Sequence, residues 1–142
     1  MRTKEFKQGR LFVGRLPFEA DLLDSIEKYI IEKDITHGHF SIIGALKSGS
    51  YGFFNEKTLK YDIIHHKKQC EILSCIGNIS IKEGKPFVHA HITLSDEKGR
   101  AFGGHLTKGC EIFSAEIVMH ELIDAELVRE FDENTKLYLW RI

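Results

Sequence analysis

From Phe40 onward the chain is a succession of short apolar runs with a period of two, and that rhythm restricts it to a fold dominated by strands. The runs cover residues 40–46, 51–54, 59–65 and 71–81, and Gly, Ser, Asn and Lys punctuate them. Lys82-Glu83-Gly84-Lys85 reads as a tight reversal, Pro86 opens a further strand over 87–94, and residues 95–100 form another polar turn. Over 110–122 the alternation of Ile112, Ser114, Glu116, Val118 and His120 against Phe113, Ala115, Ile117 and Met119 favours strand over helix. Strands over 125–131 and 137–140 follow. Ahead of Phe40 stand a first strand over 11–16 and one helix ending near Asp34, with Leu22, Leu23, Ile26, Tyr29 and Ile30 at helical spacing. With no repeat and no low-complexity linker, the pattern predicts a single α+β domain with a largely antiparallel sheet.

The strand over 87–94 carries the chemistry. Successive strand side chains point to opposite faces, so His89 and His91 share one. A third histidine, His105, follows a glycine pair, Gly103-Gly104, whose missing side chains permit close backbone approach. Neutral imidazoles bind zinc at about 2.0–2.1 Å, and three of them fill three corners of a tetrahedron. Magnesium and calcium prefer oxygen ligands, so the residue types point to zinc. An open fourth corner suits catalysis, because water bound there has its pKa lowered to about 7. The alternative is that the imidazoles only hydrogen-bond to backbone and pack an interface.

Composition narrows the function classes. The 142 residues fit one domain, and 42% hydrophobic content is enough for a core. Lys and Arg number 20 against 21 Asp and Glu, so a net charge of -1 gives no global attraction to nucleic acid or anionic membrane. Cys70, Cys75 and Cys110 lie in apolar runs without zinc-knuckle spacing and read as small buried hydrophobes. No signal peptide or membrane span is apparent, and a cytoplasmic protein is expected. The glycines form no phosphate loop.

Glu71-Ile72-Leu73-Ser74, Gly77-Asn78-Ile79-Ser80, Gly84-Lys85-Pro86-Phe87-Val88-His89-Ala90-His91 and Gly103-Gly104-His105-Leu106 together resemble the PPC domain, the plants-and-prokaryotes-conserved domain. Gly44-Ala45-Leu46, Ala115-Glu116 and Leu137-Tyr138-Leu139-Trp140 extend the likeness. The resemblance implies a curved antiparallel sheet, a homotrimer, and a link to DNA, which plant members approach through preceding AT-hooks. It also implies a metal on His89, His91 and His105. On this reading residues 1–9 are an N-terminal arm and 10–142 a PPC-like domain. The Gly-Arg pairs at Gly9, Gly14 and Gly99 lack the proline of an AT-hook core. The expected function is therefore that of a trimeric DNA-binding or regulatory module with a zinc site, or else a zinc-dependent enzyme that uses metal-bound water on a small molecule.

Further candidates are secondary. Glu116 and His120 share a strand face and are the residues an acid–base role would draw on. Asn78 and Glu116 are placed to orient ligand imidazoles. His37 and His39 read as strand-boundary residues. His65-His66-Lys67-Lys68 in a loop, and Arg2, Lys4, Lys7 and Arg10 in the arm, are the basic stretches that phosphate contact would use.

Overall fold

A computed structural model describes residues 1–124 and 126–142. The chain runs β1 (Lys7–Arg15), α1 (Leu22–Glu32), β2 (Gly38–Asn55), β3 (Lys60–His66), β4 (Cys70–Lys82), β5 (Lys85–Ser95), β6 (Ala101–Leu106), β7 (Glu111–Ile123), β8 (Val128–Asp132) and β9 (Leu137–Trp140). All nine strands belong to one sheet, antiparallel except for a short parallel pairing of β8 with the end of β4.

β2 organises the sheet. Its first half lies between β7 and β4, while its second half is flanked by β3 and β6. Because β4, β5 and β6 pair in succession, the sheet curls back on β2 and closes a ring of four strands. Phe40, Ile42, Leu46, Cys75, Ile79, Ile92 and Leu94 fill its inner face. α1 covers that face with Leu22, Ile26 and Ile30, which are fully buried at helical spacing. Asp21 starts the helix: its Oδ1 accepts from the Asp24 N–H, and its Oδ2 accepts from Gly109 and Cys110, tying the cap to the start of β7. The three cysteines are free and buried, and burial raises Cys75 to about 12 and both Cys70 and Cys110 to about 11.

Several expectations need correction. The runs over 40–46 and 51–54 are one 18-residue strand, because Gly44 and residues 47–50 bend β2 through register shifts instead of breaking it. At Gly44 an added Cβ would lie 2.1 Å from the Ser114 carbonyl oxygen, so this crossing needs glycine. A shift between Ala45 and Leu46 leaves Phe113 as a bulge, so Ile112, expected on one face with Ser114 and Glu116, is buried with Ala115, Ile117 and Met119, and Phe113, expected with those three, is exposed. β1 begins at Lys7 and so takes in the last residues of the expected arm. β6 was not expected as a strand, since Ala101–Leu106 is too glycine-rich to show alternation. The strand expected over 125–131 is β8, with Ala125 outside the described residues.

Candidate metal centre

His89 and His91 project from the outer face of β5, while Val88, Ala90 and Ile92 between and around them are buried inward. β6 lies antiparallel alongside, and His105 stands directly opposite His91. The three rings cluster with centroids 5.2, 5.4 and 5.7 Å apart, and one ligand atom from each lies within 4.8 Å of the others. Tetrahedral nitrogens at zinc distances are about 3.3 Å apart, so the imidazoles need to close by only about 1.5 Å, within reach of a side-chain rotation. Nδ1 of His105 is buried with no hydrogen-bond partner, a cost that a metal bond would relieve. The donor set and this orphaned nitrogen both fit a zinc-class ion.

Two local devices set the spacing. β6 is held between β5 and β2, and a Cβ on Gly103 would stand 2.0 Å from the Ile92 carbonyl oxygen, one on Gly104 2.5 Å from that of Gly52. The glycine pair is thus what lets the third histidine approach. At the turn between the strands, Asp96 Oδ1 accepts from the N–H groups of Lys98 (2.9 Å) and Arg100 (3.0 Å), and Oδ2 accepts from Arg100 Nε at 2.8 Å. The Arg100 side chain first, helped by these N–H groups, holds the Asp96 carboxyl down at about 2. A carboxyl depressed in the folded chain stabilises it above the ordinary carboxylate pKa of about 3.9, and loses that contribution as pH falls toward about 2. Asp96→Asn is therefore expected to lower the urea midpoint at pH 7, with the gap from the parent protein narrowing as pH is lowered from 4 to 2. A gap independent of pH would show that the ionised carboxylate is not what secures the turn.

The electrostatics disfavour protonation of His89 and His105. Burial, then Arg129, His105 and His91 push His89 down to about 4, and burial with His91 and Arg129 lowers His105. Neutral imidazole is the form that binds metal. Tyr61 of β3 packs its ring 4.7 Å from that of His105.

Other candidates fall elsewhere. Asn78, paired with His89 across β4 and β5, does border the site. Glu116 and His120 share the outer face but lie on β7, separated from β5 by β2 and β4, about 14 Å at one strand spacing per step. His120 instead stacks on His39, with centroids 4.7 Å apart. His39 is inside β2, and buried His37 accepts the Leu127 N–H at Nε2 (2.9 Å). His65 and His66 end β3 instead of lying in a loop, with His66 against Phe102. Among the basic residues of the arm, Lys7 pairs with Asp124 and Arg10 with Glu121, while Arg2 and Lys4 donate to the Ile142 and Glu126 carbonyls. A cavity of about 520 Å³ lies between α1 and strands β1 and β7, away from the histidines.

Sequence reading missed Arg129, which β8 delivers to the rim of the cluster beside His89. Nothing local distinguishes it from an ordinary strand arginine, because its place depends on β8 pairing with the end of β4.

The fold and this histidine cluster define a β-sheet module with a candidate metal site. The chain belongs to the family of the Plants and Prokaryotes Conserved (PCC) domain, which matches residues 3–123. A plant- and prokaryote-conserved (PPC) protein from Pyrococcus horikoshii is 38% identical with a TM-score of 0.94, covering 100% of this chain and 98% of that one. A metal-containing protein from Archaeoglobus fulgidus is 37% identical with a TM-score of 0.93, each chain covered in full. A protein from Bacteroides thetaiotaomicron, described as a candidate DNA-binding protein, shares the fold at 24% identity and a TM-score of 0.85, with 96% of each chain covered. The chain spans about a fifth of the length of the curated relatives it matches, bifunctional GlmU proteins of two Synechococcus strains, 19% and 18% of their lengths.

Proposed function

We propose that this protein is a homotrimeric metal-binding module that holds one zinc ion per subunit on His89, His91 and His105. The observation that carries the reading is the convergence of three imidazoles around the orphaned Nδ1 of His105. That a similar Archaeoglobus fulgidus protein is described as metal-containing supports it. When bound, the ion supplies a Lewis-acidic centre with a position open to a ligand.

The trimer draws support from the outer face. Val13, Val118, Ser41, Ile76, His91 and His105 occupy one row of cross-strand neighbours over β1, β7, β2, β4, β5 and β6. Val13 is 74% exposed and Ile76 63%, with Ile43 of the neighbouring row at 58%. Exposed Val13, Val118, Ile43 and Ile76 on this face favour burial against another subunit. The row runs up to His91 and His105, so on this reading the ion would lie beside the subunit boundary.

A regulatory role on DNA is the function the resemblance implies, and the small-molecule enzyme is the second reading. Lys7 and Arg10 of the basic arm are engaged in ion pairs and the net charge is -1, which gives no global attraction to phosphates, whereas the open metal position favours a small ligand. One untagged preparation tests these readings together: metal content per chain, mass by light scattering, and duplex affinity against salt. About one zinc per chain and a threefold mass are expected. Phosphate contacts would make duplex affinity fall about a thousandfold between about 50 and 200 mM salt. A flat response directs the search toward the small ligand; a chain that takes up no zinc overturns the metal reading.

A further inference from the structure

Arg129 is 7% exposed, yet among the described residues no carboxylate pairs with it, whereas Arg10, Arg100 and Arg141 each have an acidic partner. Its Nε donates to Ser80 Oγ (2.8 Å), its Nη1 to the Tyr138 carbonyl (3.1 Å), and its Nη2 to Asn78 Oδ1 (2.8 Å) and toward His89 Nδ1 (3.4 Å). Phe87 and Trp140 flank the guanidinium, their ring centroids 5.4 and 5.5 Å from Cζ. Every one of these partners is uncharged. A buried cation is normally matched by an anion, and this one has only dipoles and aromatic faces.

Loading the histidines with metal deepens the imbalance. A neutral imidazole that accepts at Nδ1 carries its hydrogen on Nε2. If His89 ligates through Nδ1, that lone pair is used; if it ligates through Nε2, the hydrogen moves to Nδ1, which can no longer accept. Either way the Arg129 contact ends, and a guanidinium N–H loses its acceptor beside the ion. A dication on three neutral imidazoles, with an unpaired arginine at its rim, leaves a concentration of positive charge without an internal counter-ion.

We infer that the histidine centre takes a small anionic ligand, one bearing a carboxylate or phosphate group, whose charge is shared between the bound ion and Arg129. The inference rests on the metal reading and adds the chemical class of what fills the open position. Arginine suits the task, since its planar fork matches both oxyanions. β8, which supplies it, lies beyond residues 3–123 that the PCC domain matches, so this part of the centre comes from the C-terminal hairpin of β8 and β9.

The test uses the cobalt(II)-loaded full chain, whose visible absorption responds to ligands on the metal, titrated with inorganic phosphate and separately with acetate at fixed ionic strength. At least one probe is expected to shift the bands saturably, with affinity about tenfold weaker in Arg129→Gln although metal content is unchanged. The stronger arm distinguishes phosphate from carboxylate. Equal affinity in Arg129→Gln, even with lowered thermal stability, would overturn the proposal by reducing Arg129 to a structural pin; so would a loaded parent protein that binds neither probe. If Arg129→Gln does not fold, Arg129→Lys takes its place: a drop of about threefold or more sustains the proposal, and no drop overturns it. If the parent protein takes up no metal, the metal reading fails separately, and calorimetry with phosphate on the metal-free chain decides whether Arg129 binds an anion.

Discussion

Replacing His91 with alanine is expected to strip the protein of its metal while leaving it folded. His91 is exposed on the outer face of β5, so its removal opens no cavity, and the neighbouring Ala90 and Ile92 remain in the core. Loss of an outer-shell partner typically costs 10–100-fold in metal affinity, and loss of one of three ligands is expected to cost more than about 100-fold. Mass spectrometry of untagged protein should find about one zinc per chain in the parent and under about a tenth of that in His91→Ala. The same contrast should appear in stability: zinc at about a thousand times its Kd adds about 4 kcal/mol to a site that exists only in the folded state, or roughly 10 °C in Tm for a chain of this size. His91→Ala should show no such zinc-dependent rise, and its metal-free Tm should match that of the metal-free parent within a few degrees. Equal zinc in both proteins would mean that the ion sits elsewhere.

Burial and ligation make compatible demands at this site. A histidine in water is half protonated near pH 6.5, and protons then compete with metal. The half-buried positions of His89 and His105, together with the nearby cation of Arg129, suppress protonation before any ion arrives. The same positive surroundings that keep the imidazoles neutral also favour an anion at the open corner. On the proposed reading, metal affinity and ligand charge would both follow from one arrangement, in which β5 and β6 bring the nitrogens and β8 brings the charge.

How much of this the sequence discloses depends on whether the signal is local. His89 and His91 are legible because strand alternation acts over two residues and needs no knowledge of pairing partners. Asp21 and the apolar spacing of Leu22, Ile26 and Ile30 likewise announce α1. β2 is misread as two strands because Gly44 and the polar residues 47–50 look like a break, whereas in the folded chain they are bends that let one strand serve four neighbours. β6 is invisible for a related reason: Gly103 and Gly104 erase alternation in order to fit between β5 and β2. The inward face of β7 is lost at a single bulged residue, Phe113, after which the alternation resumes out of phase. Arg129 is the extreme case, since its position depends on a parallel pairing between residues far apart in sequence, Lys82 with Arg129 and Ile81 with Val128. Local pattern finds the two histidines on one strand; only the pairing of distant strands shows what surrounds them.

The largest effect from a single added carbon is expected at Gly103. The Cβ of Gly103→Ala would fall 2.0 Å from the Ile92 carbonyl oxygen and 3.0 Å from the Thr93 Cα, and both are β5 backbone that no side-chain rotation can clear. Its φ of +156° is also one that residues with a side chain rarely adopt. β6 must therefore shift away from β5, and His105, two residues on, must move with it out of reach of His89 and His91. Overpacking costs about 1–3 kcal/mol, and with backbone strain added the loss should be of order 3 kcal/mol, or roughly 10 °C in Tm. Zinc affinity should fall along with it, unlike in His91→Ala, where metal is lost without instability. Gly99→Asn, in the turn between the same strands, is the control: its φ of +73° is tolerated by asparagine, and a Cβ there meets nothing within 4 Å. It should keep both the parent Tm to within a few degrees and full zinc binding. Gly103→Ala protein that held zinc as tightly as the parent would show that β6 can reach the cluster without the glycine approach, and that the spacing of the three imidazoles has another source.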